Sequence, residues 1–403
     1  MKNTTEQEEY QRVYLDHSAT TPLDPVVLAT MLPYYGDVFG NADSVHSYGR
    51  QAAAAVDTAR RGIASLIGAK NSEIYFTSGG TEANNWVIKR VPYAKRNTGN
   101  HIIVSVIEHP SVLSSAKQLE DDGYKVTYIP VDKKGIVNPN NIAKVITDKT
   151  TLISVMLANN EIGSIQPVAE ITEIAKKHKI AVHTDAIQAV GSLDVNVSKL
   201  GVDFLTLSAH KIYGPKGIGC LYIRGGQKID KLVVGGHQER SYRGGTTDVP
   251  GIVGFAKSLE IAVRDMDKNS RQLCELRDYF VCELLKRVEH IGYNGHEKLR
   301  LPHNANFTFD FLEGESLIMS LDLDGIACSS GSACSSGSLT PSHVILSIGI
   351  PEEKAQGSIR FSLGKSTTKA QIDYTINKII ERVDKLRQMS PLFKQFKDRK
   401  RLI

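Results

Sequence analysis

Cysteine is scarce in this 403-residue chain: Cys220, Cys274, Cys282, Cys328 and Cys334 are all there is. So odd and sparse a set excludes a secreted disulfide framework and points to a reducing compartment, with a thiol left available for chemistry. Long apolar runs are missing as well. No stretch approaches the ~18 residues of a membrane span, and Met1 to Tyr10 carries three glutamates without the apolar core of a secretion signal. We therefore expect a cytoplasmic protein with no membrane partner. Charge of one sign is also lacking, since 49 Lys and Arg against 44 Asp and Glu leave a net +5. That balance demands neither a nucleic acid nor any other single electrostatic partner. No metal is expected: Cys328 and Cys334 stand six apart, without a second Cys or His pair at zinc spacing. Gly364-Lys365-Ser366 mimics the end of a phosphate loop, but Ile359 occupies the earlier glycine position.

What is present is enough to build packed cores, with 41% hydrophobic residues over a length typical of two to three domains. From Ile74 to Ile223 short β-rich runs alternate with helical stretches: 74-IYF-76, 102-IIVSVI-107, 152-LISVMLA-158, 180-IAVHTDA-186, 203-DFLTLSA-209 and 219-GCLYIR-224. That rhythm predicts an α/β domain with a mainly parallel sheet, whose ligands bind beyond the carboxyl ends of the strands. A long helical stretch over 252–289 follows. Beyond it come a strand at 304–311, a helix at 314–322, a polar Ser/Gly loop at 327–339, a strand at 358–364 and a helix at 370–389. This mixture predicts a smaller α+β domain, and the basic run 394-KQFKDRKRLI-403 reads as a solvated end.

Three clusters have chemical meaning. In 76-FTSGGTEAN-84 a β-run ends in a Gly-Gly turn at the start of a helix, and backbone N–H groups there, with Thr81, make a phosphate seat or an ordinary helix cap. In 208-SAHKIYGPKGIG-219 Lys211 ends an apolar run and is a candidate Schiff-base amine; in 183-HTDAIQ-188 Asp185 is placed to face a pyridinium nitrogen or to cap the next helix. Cys334 lies in a polar loop, unlike a buried structural cysteine, and is available as a nucleophile.

Nine blocks, in order, resemble the cysteine desulfurases of the NifS/IscS type, fold-type I pyridoxal-phosphate enzymes grouped with the class-V aminotransferases. They are 14-YLDHSATTP-22, 39-FGNADSVH-46, 76-FTSGGTEANN-85, 108-EHPSV-112, 159-NNEIG-163, 208-SAHKIYGPKGIG-219, 240-RSYRGGT-246, 329-SSGSACSSGSL-339 and 358-SIRFSLG-364. Two positions depart from the pattern: Gly80 stands where alanine is frequent, and His17 where Tyr or Asn is common.

The resemblance implies a large domain (16–262) with a mainly parallel seven-stranded sheet flanked by helices, and a small α+β domain (1–15 and 263–403) carrying the cysteine loop. It implies pyridoxal 5'-phosphate as cofactor and a homodimer. Lys211 would form the Schiff base, Asp185 would meet the pyridine nitrogen and Gln188 the ring oxygen, and His109 would stack on the ring and act as an acid/base group. Gly80, Thr81, Ser208 and His210 would hold the phosphate, with Thr246 reaching in from the second subunit. Asn160, which also belongs to the cofactor set, would orient the substrate carboxylate with Arg360, and Asn41 completes the substrate set. The implied reaction removes sulfur from L-cysteine, leaves a persulfide on Cys334 and releases alanine. The sulfur would pass to an acceptor protein, such as an iron–sulfur scaffold or a tRNA-thiolation enzyme. A selenocysteine lyase and a non-catalytic sulfur-relay scaffold of the same fold are the alternatives. Cys328 is expected to be a passively packed thiol rather than a resolving one.

Overall fold

The computed structural model describes residues 12–330 and 341–401; Cys334 and the rest of its Ser/Gly stretch from 331 to 340 lie outside them. A two-residue strand, β1 (Val13–Tyr14), comes first. Seven strands follow: β2 (Ile74–Thr77), β3 (His101–Ser105), β4 (Lys125–Ile129), β5 (Thr150–Ser154), β6 (Ala181–Asp185), β7 (Phe204–Ser208) and β8 (Gly219–Ile223). They form one mixed sheet in the order β2-β8-β7-β6-β5-β3-β4, in which only β8 runs antiparallel to its neighbours. Every residue of β3, β5, β6, β7 and β8 is buried. Sheets covered on both faces need apolar residues at every position, which is why these strands read as unbroken runs.

One face packs on helices Ser47–Leu66, Val168–Lys177 and Val249–Arg264, through residues such as Val56, Ile171 and Phe255. The other packs on helices Gly80–Ala94 and Pro110–Asp121, around Trp86, Val112 and Phe204. Between β5, β6 and β7 runs a buried polar line: His183 Nδ1 meets Ser154 Oγ at 2.8 Å and its Nε2 meets Thr206 Oγ1 at 3.1 Å. Thr206 lies opposite Asp185 in the β6–β7 ladder. Burial lowers the His183 pKa to about 3, so the ring is neutral.

The chain divides into two compact units. The larger is Thr20–Ser270 with Gly295–Leu301; the smaller takes the N-terminal residues up to Ala19, Arg271–Asn294 and the chain from Pro302. This differs from the seams drawn at 15/16 and 262/263. Ile252, Phe255 and Leu259 pack with Val56 and Ile63, which keeps the Val249–Arg264 helix in the larger unit. Residues 295–301 join it because Ile165 N–H donates to Leu299 O and Leu301 N–H to Gly163 O. The single helix expected over 252–289 is two, Val249–Arg264 and Met266–Arg287, separated at Asp265, whose backbone leaves the helical region.

In the smaller unit β9 (Ile291–Asn294), β10 (Asn304–Phe309), β11 (Ile326–Ala327) and β12 (Ser358–Ser362) make an antiparallel β12-β10-β9 sheet and a parallel β1–β11 pair. Its core gathers Phe280, Phe307 and Phe361, with Ile372, Ile376 and Ile379 from helix Lys369–Met389.

Candidate active site

The carboxyl ends of the larger sheet deliver the candidate residues. Asp185 ends β6 and is buried; its Oδ1 accepts the Ile187 N–H at 3.0 Å and its Oδ2 the Asn84 side-chain amide at 2.7 Å. Burial holds its carboxyl above the ordinary carboxylate value, against the smaller pull of these two donors and of Lys211. Lys211 follows β7 in a short turn, Ala209–Lys211. Ser208 closes β7, and His210 is stapled to the start of the larger unit: its Nδ1 meets Thr20 Oγ1 at 3.1 Å and its carbonyl accepts the Thr21 hydroxyl at 2.9 Å. Burial, with Lys211 and Lys216 nearby, lowers the His210 pKa to about 4.

The Gly80–Ala94 helix starts beyond β2, with Gly79 at φ 149°, a region open chiefly to glycine. A Cβ added to Gly80 would stand 2.1 Å from Ile187 Cδ1 and 3.7 Å from the Ser208 Cβ. Gly80, Ile187 and Ser208 therefore meet at one point, and Ile187 fills the volume that a methyl on residue 80 would need. His109 caps the Pro110–Asp121 helix, its Nδ1 accepting the Ser111 N–H at 3.1 Å. Thr81 and His109 line one cavity of about 360 Å³ with Asn85, Lys89 and Ser111. Gln188 and Asn160 follow β6 and β5 and are partly buried.

Thr246 does not line that cavity. It lines another, of about 140 Å³, with Thr77, Ser78 and Arg243. Its loop is anchored by two paired contacts, Arg60 on Glu239 and Arg243 on Glu82. Asn41 is exposed on the loop before helix Ser47–Leu66 and accepts the Asp43 N–H. Arg360 belongs to the smaller unit, on β12; it is 2% exposed and its Nη2 donates to Asp16 Oδ1 at 2.8 Å. Cys328, in the same unit, packs against the core, and burial raises its thiol well above the ordinary range.

The sequence reading assigned no role to Asn84, Ser111, Glu108, Ile187 or Asp16, each of which contacts an expected site residue or stands beside one. Asp16, Asn84, Glu108 and Ser111 all lie inside quoted blocks, which was their only signal; Ile187 lies in none of the nine.

A family model, aminotransferase class-V, matches residues 13–375. The chain belongs to the class-V aminotransferases, among the cysteine desulfurases. It is 50% identical over 391 residues to "Cysteine desulfurase IscS" of Dictyoglomus turgidum, covering 97% of this chain and 99% of that one. The counterpart from Methanosarcina thermophila is also 50% identical, over 95% of both chains. Among solved structures, a "NifS-like protein" superposes with a TM-score of 0.88 at 38% identity, over 93% of this chain and all of that one.

As in its family, the cofactor of this desulfurase is pyridoxal phosphate, and the residues present fit it. A buried carboxylate suits the ring nitrogen, and the N-terminus of a 15-residue helix that begins at Gly80 suits the phosphate. Asn84 Oδ1 is a buried acceptor without a partner among the described residues, beside that carboxylate. Among the described residues no cluster of three or more His, Cys, Asp or Glu is arranged to hold a metal ion, and no helix is long and apolar enough to cross a membrane.

Proposed function

We propose that the protein takes sulfur from L-cysteine as a persulfide on Cys334, releases alanine and hands the sulfur to an acceptor protein. The observation that carries this is the convergence of Asp185, His109 and Lys211 at the carboxyl ends of β6, β3 and β7, where Lys211 acts electrostatically on Asp185 and His109 is joined to it through Ser111 and Asn84. One structural relative, SspA, was solved in complex with cysteine; it superposes with a TM-score of 0.78 at 34% identity, over 88% of this chain.

Pyridoxal phosphate, when bound, supplies the electron sink for breaking the bond between carbon and sulfur. Asp185 would face the ring nitrogen and Gln188 the ring oxygen. Gly80, Thr81, Ser208 and His210 would hold the phosphate with backbone and side-chain donors. His109 would supply a ring face and an acid/base group, and Lys211 Nζ would be the amine that anchors the cofactor and the base for the proton at the substrate carbon. Asn160 and Arg360 are the proposed partners of the substrate carboxylate, for which a guanidinium is suited by its paired donors, and Asn41 belongs to the proposed substrate set. The Cys334 thiolate attacks the substrate sulfur: an S–S bond forms, the C–S bond breaks, and its electron pair returns to carbon, which is protonated to give alanine.

Two features support a homodimer. Thr246 lines a cavity apart from that of Thr81 and His109, as expected of a residue that serves the second subunit's phosphate. Val26, Leu32, Tyr35 and Phe39 are each more than half exposed, an apolar patch that a second copy would cover. The proposed location is cytoplasmic, and an iron–sulfur scaffold or tRNA-thiolation enzyme is the proposed kind of acceptor.

The test is an absorbance spectrum of the purified protein, then L-cysteine with a reductant, with alanine and sulfide quantified together. Equal yields are expected. Lys211→Ala should lose the visible band and both products; Cys334→Ser should keep the band and lose sulfide. Unchanged sulfide release from Cys334→Ser defeats the assignment.

A further inference from the structure

His109 Nδ1 receives two hydrogen bonds, one from the Ser111 backbone N–H at 3.1 Å and one from the Ser111 hydroxyl at 2.8 Å. A backbone amide can only donate. Nδ1 is therefore an acceptor, and the proton of the neutral ring stands on Nε2. Ser111 Oγ accepts in turn from the Asn84 amide at 2.9 Å, and the second Asn84 N–H reaches Asp185 Oδ2 at 2.7 Å. The donors are all accounted for in one direction: Asn84 gives one hydrogen to Asp185 and one to Ser111, and Ser111 gives its own to His109. Asn84 is fully buried, and Ser111 and Asp185 are 8% and 5% exposed, so water does not compete for these contacts.

The orientation of the Asn84 amide follows from the acceptor beside it. Turned the other way, its oxygen would face an Asp185 oxygen, whereas the observed orientation leaves the amide oxygen without a partner among the described residues and points nitrogen at Asp185 Oδ2.

We propose that Asn84 and Ser111 are positioning residues that tie His109 to Asp185 and hold its imidazole in the Nε2–H tautomer. The proposal rests on the reading of Asp185 and His109 as the residues around the cofactor. A proton on Nδ1 would oppose two donors and release the cap of the Pro110–Asp121 helix. His109 therefore presents a fixed ring face whose proton stands on Nε2. The charged groups facing this cluster are Asp185 from β6, Lys211 from the turn after β7, Glu108 beside His109 and Lys89 across the cavity.

The test uses the holoenzyme labelled with nitrogen-15 histidine, with His109→Gln assigning the resonances. Wild type should show a protonated Nε2, a bare Nδ1 and no titration down to about pH 5.5, well below the ordinary histidine midpoint. Ser111→Ala and Asn84→Ala should each raise the midpoint by about one pH unit, a tenfold gain in proton affinity. Ser111→Thr, which keeps the hydroxyl, should behave as wild type. Variants are compared at matched cofactor absorbance, so a folding defect is seen directly. An Nδ1–H tautomer, a wild-type midpoint near 6.5, or midpoints unmoved in both variants overturns the proposal. Failure of the cofactor reading is distinct: it shows as no visible band and no alanine from wild type, whereas the tautomer is read on the imidazole itself.

Discussion

Gly80→Ala adds one methyl group at the first residue of the Gly80–Ala94 helix, 2.1 Å from Ile187 Cδ1 and 3.2 Å from its Cγ1. Ordinary carbon contacts are about 3.5–4.0 Å. Ile187 must therefore retreat by roughly 1.5 Å, and its backbone N–H is tied to Asp185 Oδ1. Overpacking of this kind costs about 1–3 kcal/mol, and the smaller unfolded-state entropy of alanine offsets about 0.4–1 kcal/mol. A net loss of up to about 2.5 kcal/mol follows, borne by the Ile187 side chain beside Asp185 and Gln188. Ile187→Val removes the clashing carbon and alone costs about 0.5–1.5 kcal/mol. In the double variant the methyl added at position 80 enters the vacated space, so the two losses should not add. Urea unfolding of the four proteins and cofactor titration by absorbance measure the coupling. Losses that add within about 0.5 kcal/mol, or a Gly80→Ala protein as stable as wild type, refute the reasoning.

Two further outcomes follow from buried charges. Burial pushes the Glu108 carboxyl up to about 8, against hydrogen bonds from Ser105 and the Met156 N–H. The folded state then binds this proton more tightly than the unfolded chain, so Glu108 costs stability increasingly as pH rises from about 4.5 to 8, and uniformly above. Glu108→Gln, which mimics the neutral acid, should gain stability over wild type across that window; a difference that is flat with pH would falsify this. Asp16→Ala should destabilise the protein by about 3 kcal/mol in urea unfolding, because it removes the carboxylate that faces the buried Arg360 guanidinium; a loss below about 1 kcal/mol would show that solvent reaches Arg360.

Much of the larger sheet was legible because its strands are buried on both faces and so read as continuous apolar runs. The strand that went unread, β4, lies at the sheet edge, with Lys125 exposed and Val126, Thr127 and Tyr128 half covered. The break at Asp265 was equally silent, since neither glycine nor proline marks it. Motif blocks located Lys211 and His109, and the run 183-HTDAIQ-188 located Asp185, because the chemistry of each shows in its residue type and in its place after a strand. Asn84 and Ser111 lie inside quoted blocks, yet their roles did not show: the hydrogen bonds from Asn84 to Ser111 and to Asp185 span 27 and 101 positions, and no spacing along a chain encodes them.

The polar line of Ser154, His183 and Thr206 has a consequence for folding. A strand covered by apolar packing on both sides can slide by a residue and still find oil above and below, so hydrophobicity alone guards β6 weakly against misalignment. Sliding β6 by one position would carry His183 to the opposite face and leave the Ser154 and Thr206 hydroxyls stranded without an imidazole. The same error would turn Asp185 away from Asn84. The Ser154 and Thr206 hydroxyls and the His183 imidazole thus favour the one register of β6 in which the Asp185 carboxyl meets Asn84.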